Sequence, residues 1–324
     1  MTNSLELLDK VRLNFSDSNL IFLNIALAFV MFGVALDIKA KHFEAIVKNP
    51  RSAVMGFISQ TFLLPAFTFV LVMILNPTPT VALGMILVAA CPGGNISNFI
   101  SSVAKANVAL SVSLTAMSTS AAVFFTPFNF AFWGKIYVNF YNSHNAEGLV
   151  RPLVIDKYQM FQTVFILLGI PVFLGLLMSK KFPLLTEKIK KPINKASLVF
   201  FICMVIAMLA ANFEQLKSNV HLVFVIVLLH NGLALATGYF FSSLMKLPSM
   251  DKRTISIETG IQNSGLALAL MFNPKIFPPE MELGGMAVIA AWWGIWHIIS
   301  GLGIAWFWSR KPLITKYDTA VTGL

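Results

Sequence analysis

The sequence predicts an all-α polytopic membrane protein of about nine transmembrane helices, built as an inverted repeat. Three observations carry this. Only 12% of the 324 residues are charged and 57% are hydrophobic, with a mean hydropathy of +0.76. Soluble domains carry roughly twice that charge fraction. Charges bunch between long uncharged runs, each long enough to cross a hydrocarbon core of ~30 Å. Two of these runs are interrupted by polar, glycine-containing motifs, the pattern of a secondary transporter with a mid-membrane site.

The elements follow in order. Residues 1–18 are polar and mixed in charge, with no apolar stretch before Leu20, so no cleavable signal peptide is expected. Spans are expected at 19–37, 52–75, 81–104, 107–133, 158–179, 196–213, 219–245, 254–273 and 283–309. Asn76-Pro77-Thr78-Pro79-Thr80 splits the longest run, Ser52 to Ala104, into two. The third and eighth spans are the broken ones. Residues 19–133 form a first repeat and 196–309 a second. Residues 134–195 hold a polar outer loop (Tyr137 to Leu149), a linking span and a basic cytoplasmic loop, and 310–324 form the tail.

The charge balance of +10 is a topology signal. Lys10, Arg12, Lys135, Arg151, Lys157, Lys217 and Lys275 fall on the side that holds the N-terminus. The rest of the 24 basic residues fall on the other, with Lys180, Lys181, Lys188, Lys190, Lys191 and Lys195 among them. The positive-inside rule puts the N-terminus outside and the C-terminus in the cytoplasm of a cell inner (plasma) membrane. No nucleic-acid partner is expected. Cys91 and Cys203 are the two cysteines, both in apolar surroundings, and neither a disulfide framework nor a metal-ligand spacing appears. There is no phosphate-binding Gly-Lys-Ser/Thr loop and no nucleophile elbow, so ATP-driven pumping and serine hydrolysis lack their parts. No catalysis is expected.

Spans one to four run plain, plain, broken, plain, and spans six to nine repeat that order. An odd number of spans separates equivalent elements, so the copies lie in opposite membrane orientations, which lets one scaffold open to either side in turn.

The chemistry gathers at the breaks. Pro92, Gly93 and Gly94 interrupt the third span, freeing carbonyls and N–H groups that lipid cannot satisfy. The half-helix starting near Asn95 presents a positive dipole end, suited to an anion. The eighth span is broken around Gly260 to Gly265 and carries Glu258, whose burial in hydrocarbon costs about 3 kcal/mol even on lenient scales. Ser97 and Asn98 follow the first break. Ser111 and Thr115 share a face at i, i+4, and Glu258 and Gln262 have the same spacing. Hydroxyls, amides, one carboxylate and free carbonyls make an all-oxygen set, which suits a hard cation. His230 and His297 are the other polar candidates for pairing with Glu258, and His297 is equally placed for helix packing.

These segments resemble the bile acid/sodium symporter family over nearly the whole chain. The resemblance rests on Met31-Phe32-Gly33-Val34-Ala35-Leu36, Cys91-Pro92-Gly93-Gly94-Asn95-Ile96-Ser97-Asn98, the run Asn107 to Thr115, His230-Asn231-Gly232, and the run Glu258 to Ala267. It implies a core domain and a panel domain, with the two broken helices crossing in the core. It implies two sodium sites behind the crossing. The first would use Ser97, Asn98, Ser111, Thr115 and Glu258. The second would use Gln60, Glu258, Gln262 and backbone oxygens of Thr259 and Ile261. Substrate would sit near Asn95, Ile96 and Asn263, with His297 a further candidate there. The family often has small residues where Asn95 and Ile96 stand and Asn where Ile298 stands, so the anion is not fixed by the resemblance.

The expected function is import of an organic anion, bile-acid-like or a small carboxylate such as pantoate, by symport with about two Na⁺. Its partners are that anion and the lipid bilayer. Two alternatives remain open: a proton-coupled or uncoupled carrier of arsenite or auxin type, and a membrane anion sensor that moves nothing.

Overall fold

A computed structural model describes residues 17–37, 50–144, 157–211, 213–273, 276–277, 281 and 283–311. Among these residues all regular structure is helical. In chain order α1 is Asp17–Asp37 and α2 is Pro50–Leu75; α3 is Pro79–Ala90, α4 Ile96–Val103 and α5 Val108–His144. Next come α6 over 157–181, α7 at Pro183–Ala211 and α8 at Phe213–Leu244. The series ends with α9 at Ser249–Gly260, α10 at Ser264–Met271 and α11 at Gly284–Ser309. Five described helices are long and apolar enough to cross a membrane, namely Pro50–Leu75, Val108–Ser143, Phe161–Lys181, Val223–Leu244 and Gly284–Ser309. Asn24–Gly33 and Pro79–Ala90 are shorter apolar helices. Many large apolar side chains point outward, such as Phe124, Phe128, Phe173, Phe240 and Trp306. Inside a bilayer that is the lipid-facing surface.

Proline and glycine shape the helices from within. Pro65 has no N–H for the carbonyl of Thr61. The helix widens into a π turn over Ser59–Leu63, and the Asn129 amide donates to Thr61 O at 2.8 Å. That turn buries Ser59, Gln60 and Thr61. Pro171 follows a second π turn, Phe165–Gly169, in the same register. Two matching stops end α4 and α8. Lys105 and Lys246 take left-handed φ of 51° and 54°. Ala106 N then bonds Ser101 O at 3.0 Å, and Leu247 N bonds Ser242 O at 3.1 Å. This is the helix stop in which the N–H beyond a left-handed residue reclaims an orphan carbonyl.

The main apolar core joins α3, α10 and α11 with the C-terminal half of α2, and Trp293 is fully buried in it. A second cluster packs α4 and α9 on the end of α11 through Ile100, Ile257, Ile261 and Ala305. A third holds Ala53, Leu110, Leu114, Leu247 and Ile255. Helices α8 and α9 meet closely because Gly238 is small: a Cβ there would lie 2.6 Å from Ser256 Cα. Helix α1 packs chiefly on α6 and α7.

Three sequence expectations are corrected. The expected outer loop from Tyr137 is helical as far as His144. Phe130, Ala131, Tyr137 and Val138 are buried along one stripe of α5, so the polar residues between them lie on the solvated face of a helix. The expected basic loop is also helical: Lys180 and Lys181 end α6, and Lys188 to Lys195 lie in the first turns of α7. Thr186 ties that corner, its hydroxyl donating to Phe182 O at 2.9 Å. Finally, α9 begins at Ser249, earlier than expected, and buries Asp251 and Arg253. Residues 1–16, residues 145–156, which include the rest of the expected outer loop, and residues 312–324 lie outside the described residues.

Candidate functional site

Both expected breaks are present, and they meet. Cys91 precedes Pro92, which pushes it into an extended conformation and ends α3. Ile261 is extended past the end of α9. Gly94 N donates to Ile261 O and Asn263 N donates to Pro92 O, each at 2.8 Å. This antiparallel bridge pairs Gly93 with Gln262 and satisfies backbone groups that the breaks set free. Gln262 therefore lies beyond the end of α9, and the helical i, i+4 relation to Glu258 expected from spacing does not hold.

Glu258 is 1% exposed. Ser97 Oγ donates to its Oε1 at 2.6 Å, and Ser111 Oγ makes a short bond to the same oxygen. Thr115 Oγ1 stands 3.2 and 3.1 Å from the two carboxylate oxygens. Asn98 Oδ1 joins the group, 2.9 Å from Ser111 Oγ and 3.3 Å from Thr115 Oγ1. Hydrogen atoms are too few for these oxygens. Thr115 owns one hydroxyl hydrogen, yet its oxygen also approaches Ser111 O at 3.1 Å and Ser97 Oγ at 3.4 Å. Ser111 likewise faces two acceptors with one hydrogen. Oxygens gathered beyond their supply of protons repel each other unless a positive charge sits among them. Among the described residues no basic side chain pairs with Glu258, and no cluster of three or more His, Cys, Asp or Glu occurs.

A second group gathers at the backbone of Glu258 and Thr259. Gln60 Nε2 donates to Glu258 O at 3.0 Å, and Gln262 Nε2 donates to Thr259 O at 2.8 Å. The amide oxygens of both glutamines are buried without a partner. Gly93 makes this possible: a Cβ there would lie 2.7 Å from Gln60 Nε2 and 3.1 Å from Glu258 Oε2. The carbonyl of Ile261 already accepts the bridge from Gly94.

The residues expected near substrate are dispersed around the bridge. Asn95 is exposed and Ile96 half-buried. Asn263 is half-buried and caps α10, accepting from Leu266 N at 3.0 Å. His297 is buried, with Nδ1 unpartnered. It shares a face of α11 with Gly294, which packs on Ser264, and Gly301, which packs on Ile261. His230 does not reach Glu258. Its Nε2 bonds Thr68 Oγ1 at 2.8 Å, and its ring lies 4.5 Å from that of Trp293.

Sequence reading missed several supports. Ser59 Oγ meets Thr259 Oγ1 at 3.0 Å, and the Asn231 amide donates to Gly260 O at 2.8 Å, holding the last turn of α9. At the far end of α9, Asp251 accepts from Ser52 Oγ at 2.6 Å and from Asn107 Nδ2 at 2.8 Å. Arg253 Nη1 donates to Ala104 O at 3.0 Å. Asn107 and Asn231 stood within motifs of the resemblance, and that was the available signal.

Comparison with known proteins identifies the family. The profile of the Sodium Bile acid symporter family matches residues 24–219. The uncharacterized sodium-dependent transporter YocS of Bacillus subtilis is 30% identical over 90% of this chain and 84% of its own. A probable chloroplastic sodium/metabolite cotransporter, BASS2 of Oryza sativa subsp. japonica, is 31% identical over 83% of this chain and 63% of its own. Sodium/bile acid cotransporter 4 of Homo sapiens is 28% identical over 93% and 68%. The profile match and the Bacillus relative together place it: the chain belongs to the sodium bile acid symporter family.

Proposed function

We propose that this protein is a sodium-coupled importer of an organic anion, working by alternating access in a cell inner membrane. The observation that carries the reading is the proton-poor oxygen cluster around buried Glu258. Ser97, Asn98, Ser111, Thr115 and Glu258 form a first sodium site. Gln60, Gln262 and Glu258 form a second, with backbone oxygens of Thr259 and Ile261, and the partnerless amide oxygens of both glutamines favour it. Sodium is the cargo that suits such a set, since hard oxygen donors with a single negative charge match a small monovalent cation. Sodium dependence in the names of relatives supports the same ion.

Two Na⁺ beside one carboxylate leave one surplus positive charge, and a monoanion cancels it. Anion and sodium affinities then raise each other by an equal factor, as linkage requires. The anion is received at the bridge by Asn95, Ile96 and Asn263, where α4 and α10 direct their N-termini. His297 lines the same region from α11. A bile-acid-like or small carboxylate fits this charge balance. The order of plain and broken helices on each side of α6 forms the inverted repeat that alternation needs. Helix α1 with α6 and α7 forms the panel against which the core moves.

The test is uptake of candidate monoanions into proteoliposomes holding the purified chain. An inward sodium gradient should drive accumulation in the wild type and fail to do so in Glu258→Ala. Accumulation driven by a pH gradient without sodium would instead favour the proton-coupled alternative. Saturable binding with no accumulation under any gradient would favour the sensor.

A further inference from the structure

An α-helix leaves its last carbonyls without donors of its own, and in a membrane each must find one elsewhere. At the end of α9 the donors are side chains and one strand-like N–H. The Glu258 carbonyl accepts from Gln60 Nε2, and the Thr259 carbonyl from Gln262 Nε2. Ile261 O, one residue past the helix, accepts from Gly94 N. Gly260 O accepts from Asn231 Nδ2 at 2.8 Å. Of these donors, Asn231 alone belongs neither to the proposed sodium sites nor to the bridge. It comes from α8 and is fully buried.

The contact needs α8 and α9 to approach closely, and Gly260 allows it. A Cβ there would lie 2.3 Å from Leu235 Cδ2, and Leu235 shares a face of α8 with Asn231, one turn away. The Asn231 amide then has one usable orientation. A carbonyl can only accept, so Nδ2 must face Gly260 O. The amide oxygen accepts from Ser300 Oγ of α11 at 2.5 Å. Gly301, the next residue of α11, packs on Ile261. Asn231 thus ties the end of α9 to α8 and α11 at once.

Peptide planes are rigid. Gly260 O and the Ile261 N–H share one plane, and it is pinned at both edges: the oxygen by Asn231, the N–H by Ile257 O at 2.9 Å. Ile261 is extended, with φ −110° and ψ 94°, so its own carbonyl takes its direction from the pinned plane before it. The Thr259 carbonyl lies just ahead of the same plane. We propose that Asn231 is a positioning residue for the second sodium site: it fixes the Gly260 peptide so that the carbonyls of Thr259 and Ile261, on either side, are aimed at the ion, and Ser300 fixes Asn231 in turn. The inference rests on the sodium-coupled reading above. It gives α11, which supplies no sodium ligand, a part in holding the site.

The experiment is a sodium titration of the purified full chain without anion, with choline holding the ionic strength, read as the sodium dependence of the unfolding midpoint. Asn231→Ala should raise the half-saturating sodium concentration about tenfold, the size of one misdirected polar contact to an ion. Ser256→Ala is the control. It removes another bond between the same two helices, Ser256 Oγ to Leu235 O at 2.7 Å, one turn before Gly260. Its sodium affinity should stay within about twofold of wild type. An equal loss in both variants would mean that α8 merely braces α9, and an unchanged affinity in Asn231→Ala would mean that the peptide needs no fixing; either overturns the proposal. If Asn231→Ala does not fold, Ser300→Ala decides instead. It should lower sodium affinity about threefold, as a freed amide spends part of its time misaligned, and Ser300→Thr, which returns the hydroxyl, should recover it. An unchanged affinity in Ser300→Ala would then overturn the proposal. A sodium response that survives Glu258→Gln would remove the sodium site itself, whereas one abolished by Glu258→Gln but untouched by Asn231→Ala would remove the positioning role alone.

Discussion

Glu258 is stabilised by hydroxyls that have too few hydrogens for the oxygens around them. Ser111→Ala and Thr115→Val each remove one oxygen from this set. Each should weaken sodium binding by about tenfold, near 1.4 kcal/mol, as measured by sodium titration without substrate. The proposed function assigns Gln262 to sodium and Asn263 to the anion. Gln262→Ala should lower sodium affinity in the absence of anion, while Asn263→Ala should lower anion affinity first. Asn263 also caps α10, so its replacement should cost about 1 kcal/mol of stability by thermal unfolding. Equal loss of sodium affinity in both variants would contradict the separation. The residues around Glu258 were legible because hydroxyls, amides and a carboxylate stand out in apolar spans. Ser59 and Thr259 were not assigned to each other, because their meeting depends on the π turn before Pro65, which side-chain type does not announce.

The breaks decide what the helices can do. Pro92 and Gly260 marked them in the sequence, and the bridge between Gly93 and Gln262 shows why a residue with no side chain stands at the first. Gly93→Ala would push a methyl group against Gln60 and Glu258. The variant should still insert in the membrane but lose most of its sodium response in a thermal-shift assay; a wild-type response would show that the bridge yields. At the other end of α9, Asp251→Ala leaves Ser52 and Asn107 without their acceptor. It should lower unfolding stability by about 1–3 kcal/mol while leaving the sodium-induced shift in place. Helix ends were the least legible feature. Polar composition reads as a loop at Tyr137 to His144 and Lys188 to Lys195, yet both stretches are helical; Asn139, Asn142 and Ser143 in the first and Lys188, Lys191 and Lys195 in the second are exposed. Charges also hid the start of α9, since Asp251 and Arg253 are matched by partners far away in the chain.

The whole molecule pairs two broken helices of opposite direction around one carboxylate. Charge counting puts Lys190 in the cytoplasm and Glu147 outside. Single cysteines at these positions, in a chain lacking Cys91 and Cys203, should label oppositely with an impermeant maleimide in intact cells. Labelling of both from outside would contradict the orientation. The class of fold was legible because a bilayer permits few solutions to backbone hydrogen bonding. The anion was not, because neutral amides and helix N-termini accept many monoanions. The central claim is that the Glu258 cluster binds sodium, and a thermal-unfolding titration of the purified chain tests it most directly. Sodium should raise the midpoint with saturation, potassium and choline should not, and Glu258→Gln, which keeps the shape and removes the charge, should abolish the rise. An equal rise with potassium, or an undiminished sodium response in Glu258→Gln, would contradict the account.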